Sequence, residues 1–377
     1  MSHSGEELRQ AIRRRPGMYI GDTATYGLSR LAESLLLLGV IAGREGRVRE
    51  ISLSLGVDGS CEISFDGWPW PLASGTSPIA DVGRWLTFVN FDMNAVRPPG
   101  MPRGVIFPVP HVDLGLVNAL ASSLEVVAWV GGQRWRQRFR EGLPQGEPHA
   151  IAPGAKPSAS DSGLHITFMP DAAIFDQPHR FAVEWLRDRL SSFSAFHAGL
   201  TWRFRDAVSG LDECYRRERG LPDLCAEFSE SSRPIHAPWS FEGQAGTTRV
   251  RLALQWGEAP GSGVRSWANV RECTRDGTHH DGLLLGLRKA LRARMKARGP
   301  EQEALSFTDA ALLGHLTAVL ELVVPDTVWY GPTQEQLANP EAKADVAQLV
   351  STWVEQSLAS HPDLESRVLA LSGVPRS

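Results

Sequence analysis

The chain has 377 residues, of which 42% are hydrophobic and 22% charged, and its formal net charge is −4. That is enough apolar material for a packed core, and the length predicts two domains of ordinary size. A disordered chain would carry more charge and less apolar surface, and a protein that coats nucleic acid without sequence preference would be basic overall.

The amino terminus is polar and acidic, unlike a secretory signal, and the longest apolar stretch, 35–42, is too short to span a bilayer. Helical character over 5–15 ends in Arg13, Arg14 and Arg15, where Pro16-Gly17 stops it. A second helix is predicted over 28–42, because Leu28, Leu31, Leu35 and Leu38 recur at helical spacing and Leu36 and Leu37 widen the apolar stripe. Residues 50–56 and 61–65 alternate as strands around the turn Asp58-Gly59, a hairpin signal. Proline and glycine over 98–112 predict a long loop, followed by a helix at 113–122 and strands at 124–130 and 134–140. In the second of these strands Arg134, Arg136, Arg138 and Arg140 share one face, with Trp135 and Phe139 on the other. A loop over 145–163, a strand at 164–168, a helix at 180–192 and a strand at 200–205 complete the first half. Beyond a boundary near 219, strands are expected at 248–256, 265–270 and 317–324, with helices at 281–298, 340–358 and 362–371. The mixture of strands and helices in both halves is an α+β pattern. Cys61, Cys214, Cys225 and Cys273 form no CxxC pair and read as reduced thiols of a cytoplasmic protein, mostly buried small hydrophobes.

Four segments carry a family resemblance. The first is Arg14-Arg15-Pro16-Gly17-Met18-Tyr19-Ile20-Gly21-Asp22-Thr23 with Gly27-Leu28; the second is Val117-Asn118-Ala119-Leu120, then Leu124-Glu125-Val126 and Arg136-Gln137-Arg138-Phe139. The third is Ser266-Trp267-Ala268-Asn269 with Gly277-Thr278-His279 and Gly282; the fourth is Leu316-Thr317-Ala318-Val319, Val324-Pro325-Asp326 and Leu337. In this order the chain resembles the amino-terminal half of the DNA gyrase B protein and its topoisomerase IV relative. The resemblance implies a GHKL (Bergerat) ATPase-like α/β sandwich over 1–219 and a ribosomal-protein-S5-like transducer domain over 220–377. It also implies that the family's cleavage domain lies outside this sequence, so that the chain does not cut DNA by itself. With only 15 residues up to the Pro16-Gly17-Met18 motif, it further implies a shortened dimerisation arm and no ATP-driven dimer closure.

Carried over position by position, the resemblance implies that the ATP site is substituted. The general-base position falls on Ser34 and the magnesium-ligand position on Leu38, and the helix's further acidic positions read Ile41 and Ala42. Serine without an activating partner is a poor base, and a hydrocarbon cannot ligate magnesium. The adenine-reading aspartate falls on Phe65 in a gapless alignment and on Asp66 with a one-residue deletion; both alignments are open, and Asp66 before Gly67 also suits a plain turn. Trp68 and Pro69, and Trp70 beyond them, crowd the purine position. His111 and Asp113 replace glycines of the phosphate-binding lid, where prolines 108 and 110 have no N–H to donate and Asp113 would repel phosphate. Leu164 stands at a threonine position beside the adenine, and in the returning loop Gln334 replaces the γ-phosphate lysine while Thr333 is retained.

These substitutions imply no catalytic residue, no metal site and no required cofactor. Their favoured functional reading is a non-hydrolysing pseudo-ATPase that acts through a protein partner, with gyrase or topoisomerase IV subunits as candidates. A residual ATP–magnesium switch would draw on Asp66, Gly67 and Asn118. A DNA-binding accessory module would draw on Arg288, Arg292 and Lys296 of the helix whose apolar stripe is Leu284, Leu287, Leu291 and Met295, although a solvated helix face gives the same pattern.

Overall fold

The computed structural model describes residues 5–44, 46–68, 82–83, 86–87, 114–130, 132–152, 162–299, 305–325, 327–330 and 335–375. The chain divides into two compact units, Met1–Glu218 and Arg219–Ser377.

The first unit opens with helices α1 (Gly5–Arg14), α2 (Gly17–Ile20) and α3 (Thr25–Arg44), then the hairpin β1 (Glu50–Leu55) and β2 (Cys61–Phe65). After α4 (Leu114–Ala119) come β3 (Ala121–Val130), β4 (Gln133–Arg140) and the short β5 (Leu143–Pro144) and β6 (His149–Ile151), then β7 (Gly163–Pro170), α5 (Val183–Phe196), β8 (Thr201–Asp206) and β9 (Leu211–Tyr215). The strands form one sheet in the order β5-β4-β3-β7-β2-β1-β8-β9, with β6 also paired to β4. The β1–β8 pair is parallel, and the β1–β2, β2–β7, β3–β7 and β3–β4 pairs are antiparallel.

Register divides the sheet into two faces. Ile51 lies opposite Phe65 and Trp202, Leu53 opposite Ile63 and Phe204, and Ile166 opposite Ile63 and Val126, all buried. On the other face Ser52 lies opposite Ser64 and Arg203, and Ser54 opposite Glu62 and Arg205. The apolar face meets α3, and Gly39 makes the close approach possible, since a Cβ there would lie 2.6 Å from the Ile51 Cδ1 and 2.8 Å from the Trp202 ring. The helix predicted over 28–42 begins earlier, at Thr25, because Asp22 Oδ1 accepts from the backbone N–H groups of Ala24 (2.9 Å) and Gly27 (2.8 Å) and so satisfies its free donors. The helix expected at 113–122 ends at Ala119; Ala121 and Ser123 already pair with Pro170 and Met169, the strand ladder having won an apolar run that fits either structure. On β4, Arg136 and Arg138 share Glu125 (3.5 and 2.6 Å), and Arg134 lies over the Trp129 ring, so the arginine row is largely structural.

The second unit begins with α6 (Leu221–Ser229), followed by β10 (Trp239–Ala245), β11 (Thr248–Trp256), β12 (Gly263–Ala268), β13 (Arg271–Glu272), α7 (Thr278–Ala297), β14 (Leu305–Ser306), α8 (Asp309–Gly314), β15 (Leu316–Val323), β16 (Trp329–Tyr330), β17 (Gln336–Leu337), α9 (Pro340–Ala359), α10 (Pro362–Ser372) and β18 (Val374–Pro375). Its main sheet runs β10-β11-β15-β12-β13, with β12 and β15 parallel. Leu252, Leu254, Leu320 and Leu322 form a core with Leu283, Leu287, Val346 and Val350 of α7 and α9. The two helices touch backbone to side chain: a Cβ on Gly282 would lie 2.7 Å from the Lys343 carbonyl oxygen, and one on Gly286 2.9 Å from the Val350 Cβ. Cys225 on α6 reaches the Thr317 carbonyl at 3.6 Å. Cys61, Cys225 and Cys273 are buried thiols, and burial pushes the latter two up to about 12; Cys214 is exposed. No helix among the described residues is long and apolar enough to cross a membrane.

Candidate functional site

The site indicated by the sequence centres on the middle of α3. Ser34 is 7% exposed, and its hydroxyl donates back to the Arg30 carbonyl at 3.1 Å, a bond that spends its proton on the helix itself. Leu38, one turn on, is 0% exposed, as are Leu35, Leu36 and Ala42. The polar side chain that this stretch does carry is Glu33, which sequence reasoning passed over. It pairs with Arg189 of α5 at 3.4 Å, while the Arg189 guanidinium lies over the Trp185 ring. This half-buried carboxylate is thereby committed to an ion pair within the fold.

Phe65 and Asp66 occupy different environments. Phe65 is fully buried between Ile51 and Leu164. Asp66 continues the hairpin: its N–H donates to the Glu50 carbonyl, and its Oδ1 accepts from the backbone N–H groups of Arg49 (2.8 Å) and Glu50 (3.0 Å). One carboxylate oxygen is thereby committed to closing the end of the sheet, as the turn reading expects. Gly67 is needed there because a Cβ would lie 2.1 Å from the Arg47 carbonyl oxygen. Trp68 follows, 6% exposed. Leu164, at the threonine position, is also buried.

Asn118 at the end of α4 is fully buried, and its Nδ2 donates to the carbonyls of Leu86 (2.8 Å) and Gly142 (3.2 Å). Its Oδ1 is buried without a donor. The amide therefore ties segments together, and its remaining capacity is a single acceptor. Pro69, Trp70, His111, Asp113, Thr333 and Gln334 lie outside the described residues. Asp66, Gly67 and Asn118 are thus each engaged with backbone, and the side chains at Ser34 and Leu38 add no free acid and, at the magnesium-ligand position, no oxygen. This set does not fit a magnesium–nucleotide.

The basic helix is sorted by its neighbours. Arg288 pairs with Asp309; Arg294 and Arg298 converge on the buried Glu365, at 3.0 and 3.6 Å. Of the expected trio, Arg288 is therefore largely spoken for, whereas Arg292 and Lys296, with Lys289, form an exposed stripe at helical spacing without an acidic partner among the described residues. Elsewhere in this unit His279 of the Gly-Thr-His motif is fully buried, its Nε2 2.7 Å from the Ser266 hydroxyl, and burial depresses its pKa to about 4.

Known proteins resemble both units. The DNA gyrase B family model matches residues 220–372. The DNA gyrase B protein of Helicobacter pylori is 28% identical over 378 aligned residues, covering 98% of this chain and 47% of that protein. The chain spans about half the length of the curated relatives it matches. Among solved structures, the gyrase B protein of Myxococcus xanthus superposes with a TM-score of 0.82 at 29% identity, covering 97% of this chain and 99% of that one. The 43K ATPase domain of Thermus thermophilus gyrase B, solved with an aminocoumarin, superposes with a TM-score of 0.78 at 24% identity over 98% and 95% of the two chains, a likeness of fold.

Proposed function

From a chain that is related to the ATPase and transducer region of DNA gyrase B and has its GHKL fold, we propose a non-hydrolysing member that works by binding a protein partner. The observation that carries this reading is the buried middle of α3, where Leu38 is 0% exposed and the Ser34 hydroxyl is turned back to Arg30. Hydrolysis at such a site needs a base for water and oxygen ligands for a hard cation, and neither side chain supplies them. The engagement of Asp66, Gly67 and Asn118 with main-chain groups points the same way. The partner belongs to the cytoplasm in this reading, and gyrase or topoisomerase IV subunits are its first candidates. The test is a thermal-shift titration with a non-hydrolysable ATP analogue and magnesium. A ligand at a hundred times its Kd would add about 2.7 kcal/mol and several degrees; the expected result is no shift at millimolar nucleotide. A saturable rise, with magnesium-dependent phosphate release from ATP, would overturn the reading.

A second reading rests on the exposed stripe Lys289, Arg292 and Lys296. As a DNA accessory surface it would neutralise up to three phosphates, so that duplex affinity at low salt would fall with a log–log salt slope of about −3, lessened by about one unit in Arg292→Gln. Absence of binding at low salt removes it.

A further inference from the structure

The sheet face opposite α3 carries a groove that the nucleotide reading does not use. It has a volume of about 430 Å³, is open to solvent, and lies where β1, β2, β8 and β9 meet, lined among others by Ser54, Ser60, Glu62, Arg205, Leu211 and Asp212. Two turns frame it, Gly56–Ser60 between β1 and β2 and Ala207–Gly210 between β8 and β9. The parallel pairing of Leu55 with Asp206 and the bond from the Ala207 N–H to the Leu55 carbonyl at 3.0 Å set them side by side. Each turn presents a valine to water: Val57 is 78% exposed and Val208 66%.

The turns are built to stay in shape. Asp58 Oδ1 accepts from the N–H and hydroxyl of Ser60, and the Asp206 carboxylate accepts from the N–H groups of Val208 and Ser209. The valines are thus held out on fixed loops rather than folded in. Charge at the groove is unbalanced. Asp58, Glu62, Asp206 and Asp212 lie on or beside it, against Arg205, which pairs with Asp212 at 3.2 Å, and His165, which pairs with Glu62 at 3.0 Å.

We propose that this groove docks an extended segment of a partner protein in which lysine or arginine alternates with apolar residues. The cationic side chains enter the acidic trough, and the apolar ones cover Val57 and Val208. A small cation would offset the excess negative charge but leave both valines in water; a cationic and apolar segment longer than the groove meets both requirements. The site lies on the sheet face away from α3, so the proposal stands whether or not nucleotide binds.

The test uses the full chain and an acetylated, amidated decapeptide of alternating lysine and valine, followed through the valine methyl resonances. The expected result is saturable binding with shifts at Val57 and Val208, weakened by Val57→Ser with Val208→Ser and, separately, by Glu62→Gln with Asp212→Asn, at least about fivefold in each case. All four side chains are on the surface or half-buried, and unchanged melting confirms that each variant is folded. A lysine–serine decapeptide should bind at least about fivefold more weakly, and a glutamate–valine one not at all. Absence of saturable binding by the lysine–valine peptide, equal binding of the lysine–serine peptide, or indifference to the valine pair overturns the proposal.

Discussion

Replacing Leu38 with asparagine is expected to destabilise the first unit by about 4 kcal/mol. The leucine is 0% exposed on the sheet-facing helix α3. Shrinking a buried leucine costs about 2–5 kcal/mol through lost burial and the cavity left behind, and an unpaired buried amide adds about 1–3. The effects overlap, since the amide fills part of the cavity. Ser34→Ala, by contrast, removes a hydroxyl that only back-bonds to Arg30, and is expected to change stability by less than about 0.5 kcal/mol. The contrast distinguishes two kinds of site. A solvated nucleotide cleft would accept asparagine at Leu38 at almost no cost, because water would satisfy the amide. A hydrocarbon core would not. Urea unfolding of the two variants, followed by tryptophan fluorescence, reads the difference directly; a loss below about 1 kcal/mol for Leu38→Asn would mean that this helix face is wet and that the non-hydrolysing reading has lost its main support.

The same helix illustrates what the sequence made legible. Leu28, Leu31, Leu35 and Leu38 are spaced for one buried face, and the structure buries all four. The alternation in 50–56 and 61–65 around Asp58-Gly59 likewise returns as β1 and β2 in antiparallel register. Periodicity works where one face is apolar and the other is not. It fails at β9, whose Leu211, Asp212, Glu213, Cys214 and Tyr215 are each half-buried or exposed, as suits an edge strand. Edge strand β10 escaped notice for the same reason, with Gly243 in its middle, and the nine-residue α6 was too short to show a period.

At the candidate site the sequence made residue types legible, not their contacts. Sequence could place Asp66 next to a turn, but the choice between a free acceptor and a backbone cap depends on amides of Arg49 and Glu50, brought in by the hairpin. Glu33 has Leu37 at i+4 and Arg30 at i−3 along its own helix, but the cation that pairs with it at 3.4 Å, Arg189, comes from α5, which no local pattern announces. In the same way the stripe of α7 looked uniformly basic in sequence, and only the positions of Asp309 and Glu365 separate the paired arginines from the exposed Lys289, Arg292 and Lys296.

Acidification from pH 7 to pH 5 is expected to remove about 2 kcal/mol from the second unit through His279 alone. Its imidazole is fully buried, makes one hydrogen bond to Ser266 and leaves Nδ1 without a partner, so a second proton would create a buried, uncompensated charge. The folded-state pKa is about 4, against about 6.5 in an unfolded chain. Below 6.5 the unfolded state takes up a proton that the folded state refuses, so stability is full above that value, falls as pH drops, and levels off below 4. His236 adds in the same direction: burial lowers its pKa, and its Nε2 accepts the Trp256 N–H, a bond that protonation would abolish. Carboxylates with depressed pKa in the first unit, such as Glu62, held down by its hydrogen bond to His165, lose their contribution only in more acidic solution. Acid should therefore weaken the second unit before the first. His279→Gln keeps a hydrogen-bonding partner for Ser266 without the titration, and should flatten the change between pH 7 and pH 5 by about 2 kcal/mol, whatever its effect at pH 7. Urea midpoints at the two pH values for both proteins supply the four numbers needed. Parallel losses in wild type and variant would show that His279 is not the group that refuses the proton.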